Sequence, residues 1–287
     1  MQITPRPVGS IVSLWRYPVK SMMGEERNGA ELTRGGLLGD RAYALIDASD
    51  GKVATAKNPR KWPRLFAFRA ALADAPETGR NVPPVRITLP DGATVTSEHP
   101  DVHRILSAAL EREVTLGAIA YYRHEAAASA AAPSSPATAE EYWPDIEGLD
   151  YRDTVTAFGL PEGTFFDSAP VHLLTTGTLD RLRALYPEGR FETRRFRPNL
   201  VVQTDPAEEE FPEDAWLGRT LAIGDAVRLA VTGPCPRCVM TTLAQGDLPA
   251  DTGILRTAAR YHGGHVGVYA SVLQGGTVRR GDVVRLA

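Results

Sequence analysis

Cysteine is scarce in this chain: Cys235 and Cys238 are the only two in 287 residues. A disulfide framework needs more, so the expected setting is reducing and cytoplasmic. Long apolar runs are missing too, and none approaches the ~20 uninterrupted apolar residues of a membrane helix. Residues 1–10 carry two prolines and no apolar centre, which is the pattern of neither a signal peptide nor an anchor. There is also no excess of positive charge. Lys+Arg number 32 against 35 Asp+Glu, a net charge of −3, which excludes a generally basic surface for nucleic-acid phosphates. Only four of the basic residues are lysine, so any lysine placed in a site comes from a short list. What remains is ordinary: 43% apolar residues exclude disorder of the whole chain, and the length permits one large or two modest domains with real cores.

The first third alternates as antiparallel β does. Residues 11–17 form a strand-like run closed by Pro18. Asp-Gly turns at Asp50-Gly51 and Asp91-Gly92 predict two hairpins, 41–46 with 52–56 and 85–89 with 93–96. The period then changes: Val102, Ile105, Leu106, Ala109 and Leu110 predict an amphipathic helix over 101–113. Residues 125–140, rich in Ala, Ser and Pro, are expected to form a mobile, dispensable surface loop. The domain boundary is placed there, between an N-terminal region 1–124 and a second domain 141–287. Beyond it, strands are predicted over 171–175 and 200–203, and helices over 178–186 and 252–261. The segment Gly-Asp-Ala-Val-Arg-Leu-Ala at 224–230 is echoed by Gly-Asp-Val-Val-Arg-Leu-Ala at 281–287, as two equivalent strands of a barrel or closed sheet would be.

Chemistry concentrates at Cys235-Pro236-Arg237-Cys238. Thiolates are the soft ligands for zinc, iron–sulfur and related metals, and an adjacent arginine favours the thiolate. Two buried small hydrophobes are an equally good first reading. A thioredoxin-like dithiol wants a parallel βαβ setting, which this half lacks. A zinc site could draw on His262 and His265, although their spacing departs from the finger pattern. A single thiolate on a metal cofactor, whose other ligands are not protein, is the third specific reading. Lys20-Ser21, Arg41, Arg197 and Asn199, all at strand ends, are the residue types that grip a phosphate or a pterin. Each alone reads as a solvated surface residue.

Taken together, Leu14-Trp15-Arg16-Tyr17-Pro18-Val19-Lys20-Ser21, Gly39-Asp40-Arg41, Thr55-Ala56-Lys57, Phe196-Arg197-Pro198-Asn199, Glu213-Asp214-Ala215-Trp216, the Cys-x-x-Cys and Gly281-Asp282 resemble the MOSC-domain proteins. The likeness is to the type with an N-terminal MOSC β-barrel region, as in the mitochondrial amidoxime-reducing component and its bacterial relatives. It implies a mixed α and β fold dominated by β-barrel, with an N-terminal barrel-like region and a few short helices. It implies a molybdenum cofactor (Mo-molybdopterin) with Cys238 on the metal, and cofactor contacts from Lys20, Ser21, Arg41, Ser168, Arg197, Asn199, Arg237 and Tyr269. The family's Ser-Asp-Thr-Ser-Pro segment falls on Phe166-Asp167-Ser168-Ala169-Pro170, which keeps the first hydroxyl and loses the second at Ala169.

The implied activity is reduction of N-hydroxylated compounds by cleavage of the N–O bond. Neither the anchor of the mitochondrial relatives nor the four cysteines of an appended plant-type ferredoxin domain is found, so the expected electron donor is a separate ferredoxin- or cytochrome-type protein and no membrane is involved. A cofactor or sulfur carrier, and molybdenum-independent carbon–sulfur chemistry at Cys235 or Cys238, are the alternatives. The resemblance also requires Lys20, Ser21 and Arg41 of the first half to meet Arg197, Asn199, Arg237 and Cys238 of the second at one site.

Overall fold

The computed structural model describes residues 6–119, 137–205 and 210–287. Its first strand, β1 (Arg6–Arg16), buries Val8, Ile11 and Leu14, a spacing of three where a flat strand would give two. Bulges between Pro7 and Gly9, and between Ile11 and Ser13, reset the register and bend the strand. Gly9 permits this crossing, because a Cβ there would lie 2.2 Å from the Gln203 carbonyl oxygen.

Six further strands complete a barrel: β2 (Val171–Thr175), β3 (Leu200–Gln203), β4 (Thr220–Ile223), β5 (Val227–Pro236), β6 (His265–Gln274) and β7 (Val283–Leu286). Their order is β3-β2-β6-β5-β4-β7-β1, and β1 pairs back onto β3 to close the ring. Every neighbouring pair is antiparallel except β2 with β3. A parallel pair needs a crossover, and the helices α2 (Thr176–Leu185) and α3 (Thr193–Phe196) supply it. Leu14, Leu173, Leu200, Leu221, Leu229 and Val268 fill the interior. The two echoed Gly-Asp turns lead into β5 and β7, which flank β4 on either side, so they are equivalent barrel strands as the repeat implied.

The N-terminal region wraps a second core around Trp62, Phe66, Phe68, Ile87 and Leu106, the last from α1 (Val102–Leu110). Met240 of the second half completes that core. Conversely, strand Gly29–Thr33 pairs with Gly276–Arg279. The two halves are therefore interlaced, since the first strand of the chain closes the barrel of the last.

Two local expectations are corrected. The hairpin of 85–89 with 93–96 forms, but the one from 41–46 forms only next to its turn, where the Asp47 N–H meets the Lys52 carbonyl at 2.9 Å and the Ala54 N–H the Leu45 carbonyl at 2.8 Å. Tyr43–Asp47 finds its full-length partner in Val114–Ala118, and of 52–56 only Val53 makes bridges, to Ile46 and Ala139. The Ala56 N–H is taken by the Ser21 hydroxyl at 3.0 Å, and the chain turns at Thr55–Asn58 before a strand can extend. Of the expected loop 125–140, residues 125–136 lie outside the described residues. Thr138–Glu140 are not loop but the start of strand Thr138–Trp143, with Ala139 fully buried against Ala44, Val53 and Phe165.

Asp47 fixes the surviving turn. It is buried, accepts the Ser49 N–H and hydroxyl at 3.0 and 2.7 Å, and pairs with Lys61 at 2.8 Å and Arg112 at 3.2 Å. Burial raises its pKa, but the hydrogen bonds from Lys61 and Ser49 overturn that and hold it at about 2, below the ordinary 3.8. A depressed carboxyl stabilises the fold above its unfolded pKa and ceases to as pH falls through the folded one. Asp47 should therefore contribute roughly 2 kcal/mol above pH ~4, fading toward pH ~2. Denaturant titrations should find Asp47→Asn less stable by about that amount at pH 7, with the gap closing on acidification.

Candidate cofactor cleft

Sharp backbone turns aim the site's side chains. Among the described residues, five other than glycine have φ in the left-handed region: Ser21, Arg41, Glu111, Asp153 and Arg197. Ser21 follows the end of β1, Arg41 follows the Gly39-Asp40 turn, and Arg197 ends α3. Left-handed backbone costs a side-chain-bearing residue on the order of 1 kcal/mol, so three such residues at one place mark a geometry the rest of the fold enforces.

Asp40 is the centre of that enforcement. Its fully buried carboxylate accepts the Tyr17 N–H at 2.7 Å on Oδ1. On Oδ2 it accepts the Asn199 amide at 3.0 Å and pairs with the Arg41 guanidinium. Asn199 in turn takes the His172 N–H on Oδ1 at 3.1 Å, and its own carbonyl accepts the Trp15 N–H at 2.8 Å. One carboxylate and one amide thus tie β1, β2, β3 and the Arg41 turn together.

All nine residues singled out from the sequence line one cleft between the two halves. Lys20, Ser21 and Arg41 come from the N-terminal region; Ser168, Arg197, Asn199, Arg237, Cys238 and Tyr269 come from beyond it. Three ionisable lining residues were not singled out: Lys57, Asp167 and His172. Lys57 stood inside a motif given no role, Asp167 inside a segment read for Ser168 and Ala169, and the shortage of lysine was the available signal for Lys57. His172 carries none in the sequence, because it faces the cleft from the middle of an apolar strand.

The cleft is cationic in an acidic protein. Lys20, Arg41, Lys57, Arg197 and Arg237 line it against one lining carboxylate, Asp167. Lys20 donates to the Phe165 carbonyl at 2.8 Å and pairs with Asp167. Burial pushes Asp167 up, but Lys20 and Lys57 hold it far below the usual carboxylate range. Arg41 and Arg197 both lie on the Tyr17 ring, at 4.7 and 4.1 Å from its centroid, and Arg197 donates to the Met22 carbonyl at 2.6 Å. Burial, with Arg41 nearby, lowers Arg197 to about 10. Arg237 donates to the Cys235 sulfur at 2.7 Å and to the Phe196 carbonyl at 2.8 Å, which leaves its buried Nε without a partner. His172 bonds through Nε2 to the Val266 carbonyl at 3.1 Å, and burial lowers its pKa to about 3, so it is neutral.

The two cysteines differ. Cys235, on β5, is sealed from solvent, whereas Cys238 is half-buried and opens the short turn Val239–Thr242. Burial pushes the Cys238 thiol up to about 11, against the pull of Lys57 and Arg237. A thiol so placed is protonated at neutral pH and a poor nucleophile, but it can give up its proton to a metal. The zinc reading finds no support: among the described residues no three His, Cys, Asp or Glu side chains cluster to hold a metal. His262 is engaged elsewhere, with Asp214 Oδ2 at 2.7 Å and the His265 carbonyl at 2.8 Å.

Residues 8–158 match the MOSC N-terminal beta barrel domain, and residues 161–285 match the MOSC domain. The chain belongs to the MOSC family. It is 27% identical over 253 residues to mitochondrial amidoxime-reducing component 1 of Homo sapiens, covering 86% of this chain and 68% of that protein. It is also 27% identical over 260 residues to mitochondrial amidoxime reducing component 2 of Rattus norvegicus, covering 86% and 69%. Among the described residues, no helix of this MOSC protein is long and apolar enough to cross a membrane.

Asp40→Ala should leave Arg41 without its carboxylate and Tyr17 N–H without its acceptor. Removing one partner of a buried pair costs about 3–5 kcal/mol, so urea unfolding should shift by that much. A loss below about 1 kcal/mol would mean that the halves are held by apolar packing alone.

Proposed function

We propose that this cleft binds the molybdenum cofactor, Mo-molybdopterin, with the Cys238 sulfur on the metal, and that the protein reduces N-hydroxylated compounds with electrons from a separate ferredoxin- or cytochrome-type protein in the cytoplasm. The observation that carries this reading is the convergence of cations from both halves on the one half-buried thiol. MOSC domains are associated with binding this cofactor. The residues present suit it. A phosphate-bearing pterin is anionic, five cations wait in the cleft, and the buried Arg237 Nε lacks an acceptor.

When bound, the cofactor supplies two-electron reduction: a hydroxylamine, two electrons and two protons give the amine and water. The chain's own part is to bind and orient. Lys20, Arg41, Arg197 and Arg237 would hold the phosphate and the polar edges of the pterin. Ser21, whose oxygen already accepts the Ala56 N–H, keeps its hydroxyl proton to donate. Ser168 adds a hydroxyl, and Tyr269 lines the wall beside Arg237. Asn199 has its amide and carbonyl oxygen engaged by Asp40, Trp15 and His172, so its contribution is to hold the wall in shape. Where the family has a second hydroxyl, Ala169 offers a methyl group, so that side of the mouth is less polar.

Metal analysis and pterin fluorescence on freshly purified protein test the reading. Cys238→Ser should abolish N-hydroxy reduction and change the molybdenum content or its spectrum. Cys235→Ser should spare both, because a serine hydroxyl still accepts from Arg237. Equal loss in the two variants would point to a dithiol instead, and cofactor without turnover would point to a carrier. Arg41→Ala removes one charge-assisted contact of about 1.5–3 kcal/mol, so cofactor affinity should fall about ten- to a hundred-fold.

A further inference from the structure

Lys57 is the one cation of the cleft that the proposed cofactor contacts leave over. Its backbone carbonyl accepts the Tyr142 N–H at 2.7 Å, which fixes it beside strand Thr138–Trp143. The side chain reaches over the Phe158 ring, with Nζ 4.7 Å from the centroid, and donates to Glu141 Oε2 at 3.2 Å. Asp167 Oδ2 lies at 3.7 Å, close enough to attract but too far for a hydrogen bond. An ammonium has three N–H donors, and among the described residues Lys57 uses one. The side chain is only 15% exposed, so water cannot freely satisfy the other two. Buried donors without acceptors are unfavourable unless something is meant to fill the place.

The carboxylates of Glu141 and Asp167, at 3.2 and 3.7 Å, flank the ammonium and leave it a cation of the cleft wall. Its counterpart Lys20 already uses two of its three donors, on the Phe165 carbonyl and Asp167, and the third falls to the proposed cofactor contact. Phe166 and Met240 line the same cleft and offer apolar surface.

We propose that Lys57 is a substrate-binding residue, whose free N–H groups take the oxygen of the substrate's N–O group, or an oxyanion in its place, beside Cys238. The favoured substrates are then neutral or anionic N-oxygenated compounds with an apolar body, and cationic ones are disfavoured. This rests on the proposed reduction of N-hydroxylated compounds.

The test uses the holoenzyme with reduced methyl viologen as electron source, which removes the native donor from the measurement. Lys57→Met should raise the KM for benzamidoxime by about ten-fold or more and change kcat less, as loss of a charge-assisted hydrogen bond does. Benzoate is the probe that needs no turnover. Its Kd, by calorimetry, should rise by a similar factor in Lys57→Met and recover in part in Lys57→Arg, while molybdenum and pterin content stay at the wild-type level. Lower cofactor content in Lys57→Met would overturn the proposal, because Lys57 would then belong to the cofactor cradle. So would a wild type that binds no benzoate, or benzoate binding indifferent to the substitution. A wild-type holoenzyme that carries molybdenum but reduces no N-hydroxy compound would sink the functional reading, and the benzoate titration would still decide Lys57.

Discussion

The cleft exists because one buried carboxylate is fully engaged. Asp40 has no contact with solvent, and a charge in that position is tolerated only when donors surround it. Its donors are the Tyr17 N–H, the Asn199 amide and the Arg41 guanidinium, the most distant of them 159 residues away in sequence. Apolar packing alone could join the two halves in many registers. A carboxylate with directional partners selects one, and that register sets Arg41 and Arg197 on the same Tyr17 ring.

That arrangement holds like charges together. Arg41 lowers the pKa of Arg197, and Lys57 acts against Lys20 in the same way, so the cations of the cleft destabilise one another. Asp40, Asp167 and Glu141 offset part of this, and the Tyr17 ring face offsets more. The remaining imbalance favours an anion. A ligand that brings negative charge relieves repulsion the fold already bears, so binding and stability are coupled through the same residues.

Much of the frame is legible in the sequence where an element answers to its own residues. Strands 171–175 and 200–203 are runs buried on nearly every position, bounded by turn residues, and they stand where the pattern puts them. The second half-hairpin at 52–56 is not legible, because its fate depends on Ala139, a partner across more than eighty residues. The same holds for Thr138–Glu140, whose composition reads as loop while their burial against Val53 and Phe165 makes them strand. At the site, Lys20, Arg41, Arg197 and Arg237 each look like surface charges; only the set of separated motifs makes them a constellation. Lys57 and Asp167 escaped because their roles follow from each other's positions, and those are set by the packing of strand Thr138–Trp143 and the approach to β2.

The position of the Cys238 sulfur depends less on the strand before it than on the one-turn helix α3. Residues 194–197, at its end, each reach a different part of the molecule. Arg194 pairs with Asp247 at 2.6 Å. The Phe196 carbonyl receives Arg237, and Arg197 reaches the Met22 carbonyl in the N-terminal region. Arg195 is wholly buried and, among the described residues, faces no carboxylate at hydrogen-bond distance; instead it donates to the carbonyls of Arg190, Thr241, Leu243 and Pro249, at 2.8 to 3.2 Å. A guanidinium has five donors in a rigid fork, so it can pin several carbonyls where a lysine would reach one or two. Three of those carbonyls belong to the segment that follows Cys238. The backbone after the thiol is thus anchored by Arg195 and the stretch before it by Arg237, which joins Cys235 to Phe196, while Arg197 carries the same helix across to Met22. The distance between the thiol and the cations of the first half is fixed by four consecutive residues, three through their side chains and Phe196 through its carbonyl, and this is why a site assembled from opposite ends of the chain can keep one geometry.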